Sequence, residues 1–548
     1  MNQFKTYSLL AIGIFFVSSC EKDFLNLENP NDLSAASFWS SEDEVQQGLV
    51  ATYGALQLNG LLGGTAAVEL PVRSDVGRPN NWNANAIGLN KLTFNDNTNI
   101  VRLRWRDNYI GIYRANQVLA NLNSVEMDDA IRVQIEAETR FLRAFFYNSL
   151  YRGYNGGSVI IHTSVPEMRA DFYKKPSPAA DVYALILADL EFAYQNLPKT
   201  YDDSADLGRA TWGAATAMLG KLHINEHNYE GAKSYFKEII DSNLYALTAN
   251  IGDNFDEANE MNSESIFEVA FSIDAKPGTS YGAADGPTGS EATNRSRALA
   301  TPPGGGYRTV MPSYYMTMLF KNDIMDMTNP INASRTGTAQ YSIRTSVSVA
   351  IADDDNTTLY QRSSDTGGAY NNSEASYLKK FQNWHLLRES DQSISGINER
   401  VIRLADVMLL YAECILQTDG DYTTALEMVN DIRTRAGVVP LAEADYDTDS
   451  LMEHIMWVER PLELMFEGHD IRWEDLTRWG KVKEQYTRLA AKSYVISDKV
   501  LFEHDPAVHG TLKVVKEFVE ASNVYRPEVH DYFPIPATEL NSNPDFLD

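Results

Sequence analysis

The sequence predicts a mostly α-helical protein in which paired helices support an irregular, loop-rich lobe carrying short strands. Three observations predict it. Apolar residues recur at helical spacing over long stretches of the chain. Two segments of about 34 residues share one layout of helix, polar turn and helix, the period of tetratricopeptide (TPR) repeats. Between them Met261 to Gly396 is rich in Gly, Ser, Thr, Asn and Pro, and a stretch that long is uncommon inside a helical array unless it has a function.

Taken from the N-terminus, Met1 to Ser19 reads as a signal sequence. Lys5 supplies a basic region, Leu9 to Val17 an apolar one, and Ser18 and Ser19 lead into Cys20. The apolar run falls short of the roughly 20 residues that span a bilayer. Val17-Ser18-Ser19-Cys20 resembles a lipobox, in which the cysteine thiol receives diacylglycerol; the alternative is an ordinary secretory signal ending beside a cysteine. An acylated Cys20 cannot pair with Cys414, and the chain has only 2 Cys, so Cys414 reads as a small buried hydrophobe. Glu21, Lys22 and Asp23 follow, and a short tether is expected through Pro30.

Helical units are then expected at approximately 108–152, 181–243, 403–437 and 450–488. In Ala210 to Asn243, Ala215, Leu219 and Leu222 share one face of a first helix. Tyr229, Ala232, Phe236 and Ile240 share one face of the next. Arg403 to Gly437 repeats this, with Tyr422, Ala425, Val429 and Ile432 on its second helix. Small residues let paired helices approach, and the aromatic at the turn wedges between them. Loop-like character is expected over 61–99 and 261–396, with strand-like "SIFEVAFSI" and "RTSVSVAIA" in the latter.

Composition narrows the function. A formal net charge of −28 disfavours nucleic acid, which needs clustered Lys and Arg, and equally disfavours a basic patch for anionic lipid. No Gly-x-Ser-x-Gly elbow, phosphate-cradling glycine loop or cysteine–metal spacing is present. No catalytic residue and no required cofactor are assigned. Glu459, Arg460, Glu463, Glu467, Arg472, Asp475 and Arg478 look like a catalytic cluster but lie at helical spacing, as a structural carboxylate–guanidinium network would. Trp473 and Trp479 read as core. Asp353 to Thr358 ("DDDNTT") could hold Ca²⁺ through its oxygens, yet it lacks the Gly and distant Glu of an EF-hand loop and reads better as an acidic solvated turn. His223 and His227, four apart, have no His-Glu-x-x-His zinc pattern and read as surface or turn residues.

Six motifs in order carry a resemblance. They are "CEKDFLNLENPNDL", "SFWSSEDEVQQGLVATYGAL", "AETRFLRAFFYNSLYRGYNGGSVII", "RLADVMLLYAECI", "ERPLELMFEGHDIRWEDLTRWGK" and "DYFPIPATELNSNPDF". Together they resemble the SusD/RagB family of Bacteroidetes outer-membrane lipoproteins. The resemblance implies a SusD-like superhelix of four TPR-like hairpins, anchored at the cell surface by lipid on Cys20. It implies a SusC-like, TonB-dependent transporter as partner, packed on the helical side and receiving oligosaccharide bound on the loop-rich lobe. Alternatives are a TPR-based surface assembly or adhesion protein without a sugar site, and a surface glycosidase.

Sugar rings stack apolar C–H faces on Trp or Tyr, and their hydroxyls need multidentate partners. "VRSDVGRPNNWNAN" best combines these, with Arg73, Asp75, Arg78, Asn80, Asn81, Trp82 and Asn83 in one loop expected to be exposed, whose Gly, Pro and Asn leave the indole little helical face to bury against. The insertion adds Tyr281, Tyr307, Arg308 and Tyr314. Trp384 joins the candidates, although a packed ring is its stronger reading. No family motif fixes these positions.

Overall fold

The protein is described by a computed structural model over residues 38–275, 291–336, 341–363, 374–391, 393–468, 470–498 and 500–546. The expected signal sequence at 1–19, Cys20 and Tyr281 lie outside the described residues.

Helical hairpins form where periodicity and caps agree. Asn99–Asn121 and Asp129–Gly153 make the first, and the Asp128 side chain caps the second helix by accepting from the Ala130 amide. Their faces interlock at Gly111, where a Cβ would fall 2.4 Å from Phe146. Ala179–Asn196, Trp212–Asn225 and Tyr229–Asp241 follow. Thr211 and Asn228 cap the last two. Phe236 is fully buried against Gly220, the close approach that the small residues imply; an aromatic ring buried this way contributes about 1.5–3 kcal/mol. Leu404–Thr418 and Tyr422–Arg435 repeat the pattern, with Asp421 as cap. Cys414 is buried, and burial pushes its thiol pKa up, so it is an inert hydrophobe.

The fourth expected hairpin, 450–488, is broken instead. Thr448–His454 runs into a π-helical segment at Ile455–Glu459, then Arg460–Leu464, Ile471–Arg478 and Val482–Ala491. Pro461 removes an amide just after the π segment, and Phe466 and Gly468 turn the chain with φ of +61° and +53°.

The lobe has more regular structure than its composition suggests. Residues 61–99 hold the helices Gly64–Glu69 and Ala84–Asn90 and the strand Gly77–Pro79. "SIFEVAFSI" supplies the strand Ser265–Val269, antiparallel to Glu399–Arg403, which leads straight into the Leu404 helix and ties lobe to scaffold. "RTSVSVAIA" is a strand only from Val349 to Ile351. Ser342 caps its first half into the helix Ile343–Ser348 by accepting from the Thr345 amide, so local capping overrides β-branched propensity.

Glu459, Arg460, Glu463, Glu467, Arg472, Asp475 and Arg478 are all buried and paired. The network reaches well beyond the sequence cluster. Arg403 bridges Glu264 (2.6 Å) and Glu463 (2.7 Å), Arg433 meets Glu459 (2.8 Å), and Arg344 of the lobe meets Asp323 (2.8 Å) and Glu459. Surrounding guanidinium groups hold the Glu459 and Glu463 carboxyls below the usual carboxylate range despite burial. Trp473 is core, its Nε1 donating to the Asp531 carbonyl, while half-buried Trp479 donates to Glu413.

The 353–358 turn is not the solvated loop expected. Asp353 pairs with Lys321 (2.7 Å), and buried Asp354 accepts from the Ser346 hydroxyl and the Asn356 amide. The Asp353 and Asp354 carboxylates are thus committed to protein donors, while Asp355 is exposed. Among the described residues no three His, Cys, Asp or Glu gather into a metal-ligating group, and no helix is long and apolar enough to cross a membrane. His227 sits exposed in a turn, but His223 is half-buried and stacks on Tyr235 at 5.6 Å.

Candidate functional site

Two distant segments meet at the edge of the lobe. Gly77–Pro79 pairs antiparallel with Val310–Pro312, placing Arg78 opposite Met311. The pairing continues as the Asn80 amide donates to the Thr309 carbonyl (2.9 Å) and the Asn80 side chain to the Arg308 carbonyl (3.0 Å). Asn83 then caps the next helix, accepting from the Ala86 amide. Asn81 and Trp82 are held between two fixed asparagines and point outward. Trp82 is 54% exposed, and its Nε1 donates to the Tyr307 carbonyl at 3.3 Å.

Opposite it, Pro302 to Arg308 forms a tight turn. The Tyr307, Arg308 and Thr309 amides donate to the carbonyls of Arg297, Ala300 and Ala298. Gly305 takes φ +84°, and a Cβ on Gly306 would lie 2.3 Å from Ala300, so the glycines are what let the turn close. Arg308 has φ +49°, a left-handed conformation that costs a non-glycine residue about 1–3 kcal/mol and persists only where its surroundings impose it. Tyr307 is 37% exposed, with the Arg297 guanidinium 5.1 Å from its ring centroid. Trp82 and Tyr307 are therefore two exposed aromatic residues joined at a fixed junction by the indole-to-carbonyl hydrogen bond, with Asn81 and Arg308 adjacent in the chain.

Arg73 and Asp75, expected to contact ligand, do not reach the surface. Arg73 is buried among Phe94, Trp473 and Phe533 and donates to the His530 and Asp531 carbonyls; burial pushes its pKa down to about 10. Asp75 is fully buried, gripped by both ends of the Arg472 fork (2.8 and 2.7 Å) and by Gln485. Polar side chains in a loop were drawn inward by partners far along the chain. Tyr314 is half-buried beneath Arg78, 4.3 Å from its ring. Trp384 packs on the Ala350–Tyr360–Tyr377 cluster under Lys379, the packed role that was its stronger reading.

Sequence reasoning missed a third contributor. The Glu389 amide donates to the Gly304 carbonyl (2.8 Å), and Arg297 donates to the Ser390 and Asp391 carbonyls. The 383–391 loop therefore abuts the Tyr307 turn and presents His385, Leu386, Leu387 and Arg388 to solvent. Two leucines beside Trp384 in "KKFQNWHLLRE" were the available signal.

Behind the pair, buried Glu517 accepts from the Tyr314 and Tyr315 amides, and burial pushes its carboxyl up to about 7. Its folded pKa exceeds its unfolded one, so it contributes stability that is complete below about pH 4 and is lost as pH rises through 7. Unfolding free energy is expected to fall by about 2 kcal/mol through this group between about pH 5 and 7, with the slope reduced in Glu517→Gln. Urea titrations at the two pH values check this; equal slopes in both proteins would refute it. Lys379, pushed down to about 7 by burial, has the opposite slope above pH 7, which fixes the window chosen.

A helical scaffold thus bears an irregular lobe with two exposed aromatic rings at one edge. The chain belongs to the SusD family, whose model matches residues 263–547. A second family model, described as starch-binding associating with outer membrane, matches residues 23–224. The SusD-like protein P25 of Formosa agariphila is 26% identical over 85% of this chain and 88% of its own. A SusD superfamily protein from Bacteroides vulgatus superposes with a TM-score of 0.75 at 23% identity, covering 93% of this chain and 98% of that one. A laminarin-binding SusD-like protein gives a TM-score of 0.65 at 24% identity, over 92% and 98%.

Proposed function

We propose that this chain is a non-enzymatic, cell-surface lipoprotein that binds oligosaccharide and passes it to a SusC-like TonB-dependent transporter of the outer membrane. The observation that carries this reading is the fixed junction that exposes Trp82 and Tyr307. Stacking surfaces already fixed by Asn80, Asn83 and the glycine turn are not reordered when ligand binds. A structural relative that is a laminarin-binding SusD-like protein supports the ligand class. The buried carboxylates Glu459, Glu463 and Glu467, committed to guanidinium groups, are in no position to protonate a glycosidic oxygen, which weighs against a glycosidase built on that cluster.

Lipid on Cys20 supplies the anchor in this reading. The partner faces the helical side, where a cleft of about 700 Å³ runs between the Asn99–Asn121 helix, the 160–173 segment and the C-terminal stretch. Its rim exposes Tyr113 and Phe172, and exposed rings of this kind suit a protein contact.

Trp82→Ala is expected to abolish most oligosaccharide binding while leaving the thermal midpoint unchanged, since the indole is over half exposed. Affinity electrophoresis against a polysaccharide panel, followed by calorimetry on the retained glycan, measures it. Unchanged affinity on that glycan would remove Trp82 from the site. Absence of any retention across the panel, with transporter co-purification intact, would favour the assembly-protein alternative.

A further inference from the structure

The chain carries 75 acidic and 47 basic residues, yet the two segments that build the aromatic pair contain no acid at all. From Val76 to Asn95, and again from Ala292 to Asn322, there is no Asp or Glu, while Arg78, Lys91, Arg295, Arg297, Arg308 and Lys321 are present. Some of these cations are committed elsewhere: Arg295 is buried on Glu399, and Arg78 meets Glu374. Three belong to the segments around the pair: Arg297, Arg308 and Arg388.

Arg297 lies 5.1 Å from the Tyr307 centroid, and its guanidinium donates to the carbonyls of Gly305, Ser390 and Asp391 and to the Ser393 hydroxyl. All four acceptors are neutral, so they orient the cation without cancelling its charge. Arg308 follows Tyr307 directly and is held in the left-handed region, with its amide on Ala300 and its carbonyl on Asn80. A strained arginine where glycine would fit more easily suggests a use for its side chain. Arg388, with a side chain 58% exposed, projects from the abutting loop and among the described residues pairs with the more exposed Asp391. Glu389, between Arg388 and Asp391, is buried and accepts from the Tyr360 and Ser296 hydroxyls, so its charge faces the interior and the solvent-facing excess is that of the arginines over Asp391.

We infer that the bound saccharide is anionic, bearing carboxylate or sulfate groups that meet Arg297, Arg308 and Arg388 while its rings stack on Trp82 and Tyr307. This rests on the glycan-binding reading above and narrows its ligand class. Guanidinium forks match the planar, multidentate oxygens of carboxylate and sulfate. A surface that is negative overall repels such a ligand, and a local positive rim then directs it to one face. A neutral glycan can take hydrogen bonds from these arginines, but only an anionic one also gains from their charge.

The full chain is tested by affinity electrophoresis and calorimetry with galacturonate and chondroitin sulfate oligosaccharides, their carboxyl-reduced and desulfated counterparts, and neutral laminarin oligosaccharides. The variants are Trp82→Ala and the pair Arg308→Gly with Arg388→Gln; glycine adopts the Arg308 backbone freely, so the fold is kept. At least one acidic series is expected to bind in a Trp82-dependent manner. Its affinity should fall about tenfold on neutralising the sugar, and by a similar factor in the arginine variant. It should also weaken between about 50 and about 300 mM NaCl. The carboxylate and sulfate arms identify which anion is read. Trp82-dependent binding of laminarin or of the neutralised sugars, equal to the acidic ones and insensitive to salt, overturns the charge inference and leaves glycan binding standing. Absence of Trp82-dependent binding with every probe overturns both.

Discussion

Replacing Glu463 by Ala should cost about 3–5 kcal/mol of stability, as expected when one partner of a buried ion pair is removed. Glu463 is fully buried and accepts from Arg403 at 2.7 Å and from Arg435, with Arg344 at 3.5 Å. Those three arginines come from a lobe strand, the end of the Tyr422–Arg435 helix and the lobe helix Ile343–Ser348. Without the carboxylate, three guanidinium groups crowd one dry space with one acid fewer, leaving Glu264, Glu459, Glu467 and Asp323 to balance them. Urea unfolding followed by circular dichroism at pH 7 measures the loss. A change within the roughly 0.5 kcal/mol typical of a surface substitution would show that the network is slack. Because the same cluster joins lobe to scaffold, amide exchange should also quicken at the Glu399–Arg403 strand relative to the Asn99–Asn121 helix.

How far this network could be read from sequence follows from where its partners lie. Glu459 to Arg478 share one short stretch, so their helical spacing and mixed charge reveal a structural cluster. Glu264, Arg344 and Arg403 join it from distant parts of the chain, and no local pattern marks them. The Ala210–Asn243 hairpin is legible for the opposite reason: Gly220, Phe236 and both caps lie within one window. At the site, Trp82 was legible because its neighbours Pro79, Asn80 and Asn83 deny it an apolar face. Tyr307 and Arg308 were legible through the glycines before them, although only the fold brings that turn to Trp82. The loop 383–391 arrives through a backbone hydrogen bond to Gly304, which leaves no trace in side-chain identity. Arg73 and Asp75 misled because a charged residue in a polar loop looks exposed until a distant partner is known.

That last distinction gives the second large effect. Asp75→Ala is expected to destabilise the protein by about 3–5 kcal/mol through loss of a buried, bidentate carboxylate, while the protein that remains folded binds ligand normally. Asp75 holds Arg472 through two bonds and also accepts from Gln485. Arg472 donates in addition to the Met456 carbonyl, so an orphaned guanidinium would stay trapped between the C-terminal helices and the 70–83 segment. Replacing both partners together, Asp75→Leu with Arg472→Met, removes the stranded charge and should recover much of the lost stability, since an apolar pair can substitute for a buried ionic one. Melting curves and calorimetry on the same three proteins separate the roles. Reduced affinity in Asp75→Ala at an unchanged thermal midpoint would return Asp75 to the ligand site. The expected result is the mirror image of Trp82→Ala: within one 14-residue stretch from Val72 to Asn85, the buried carboxylate sets stability and the exposed indole sets binding. The loop can afford a rigid, unpacked ring at its tip because Arg73 and Asp75 fasten its base into the core.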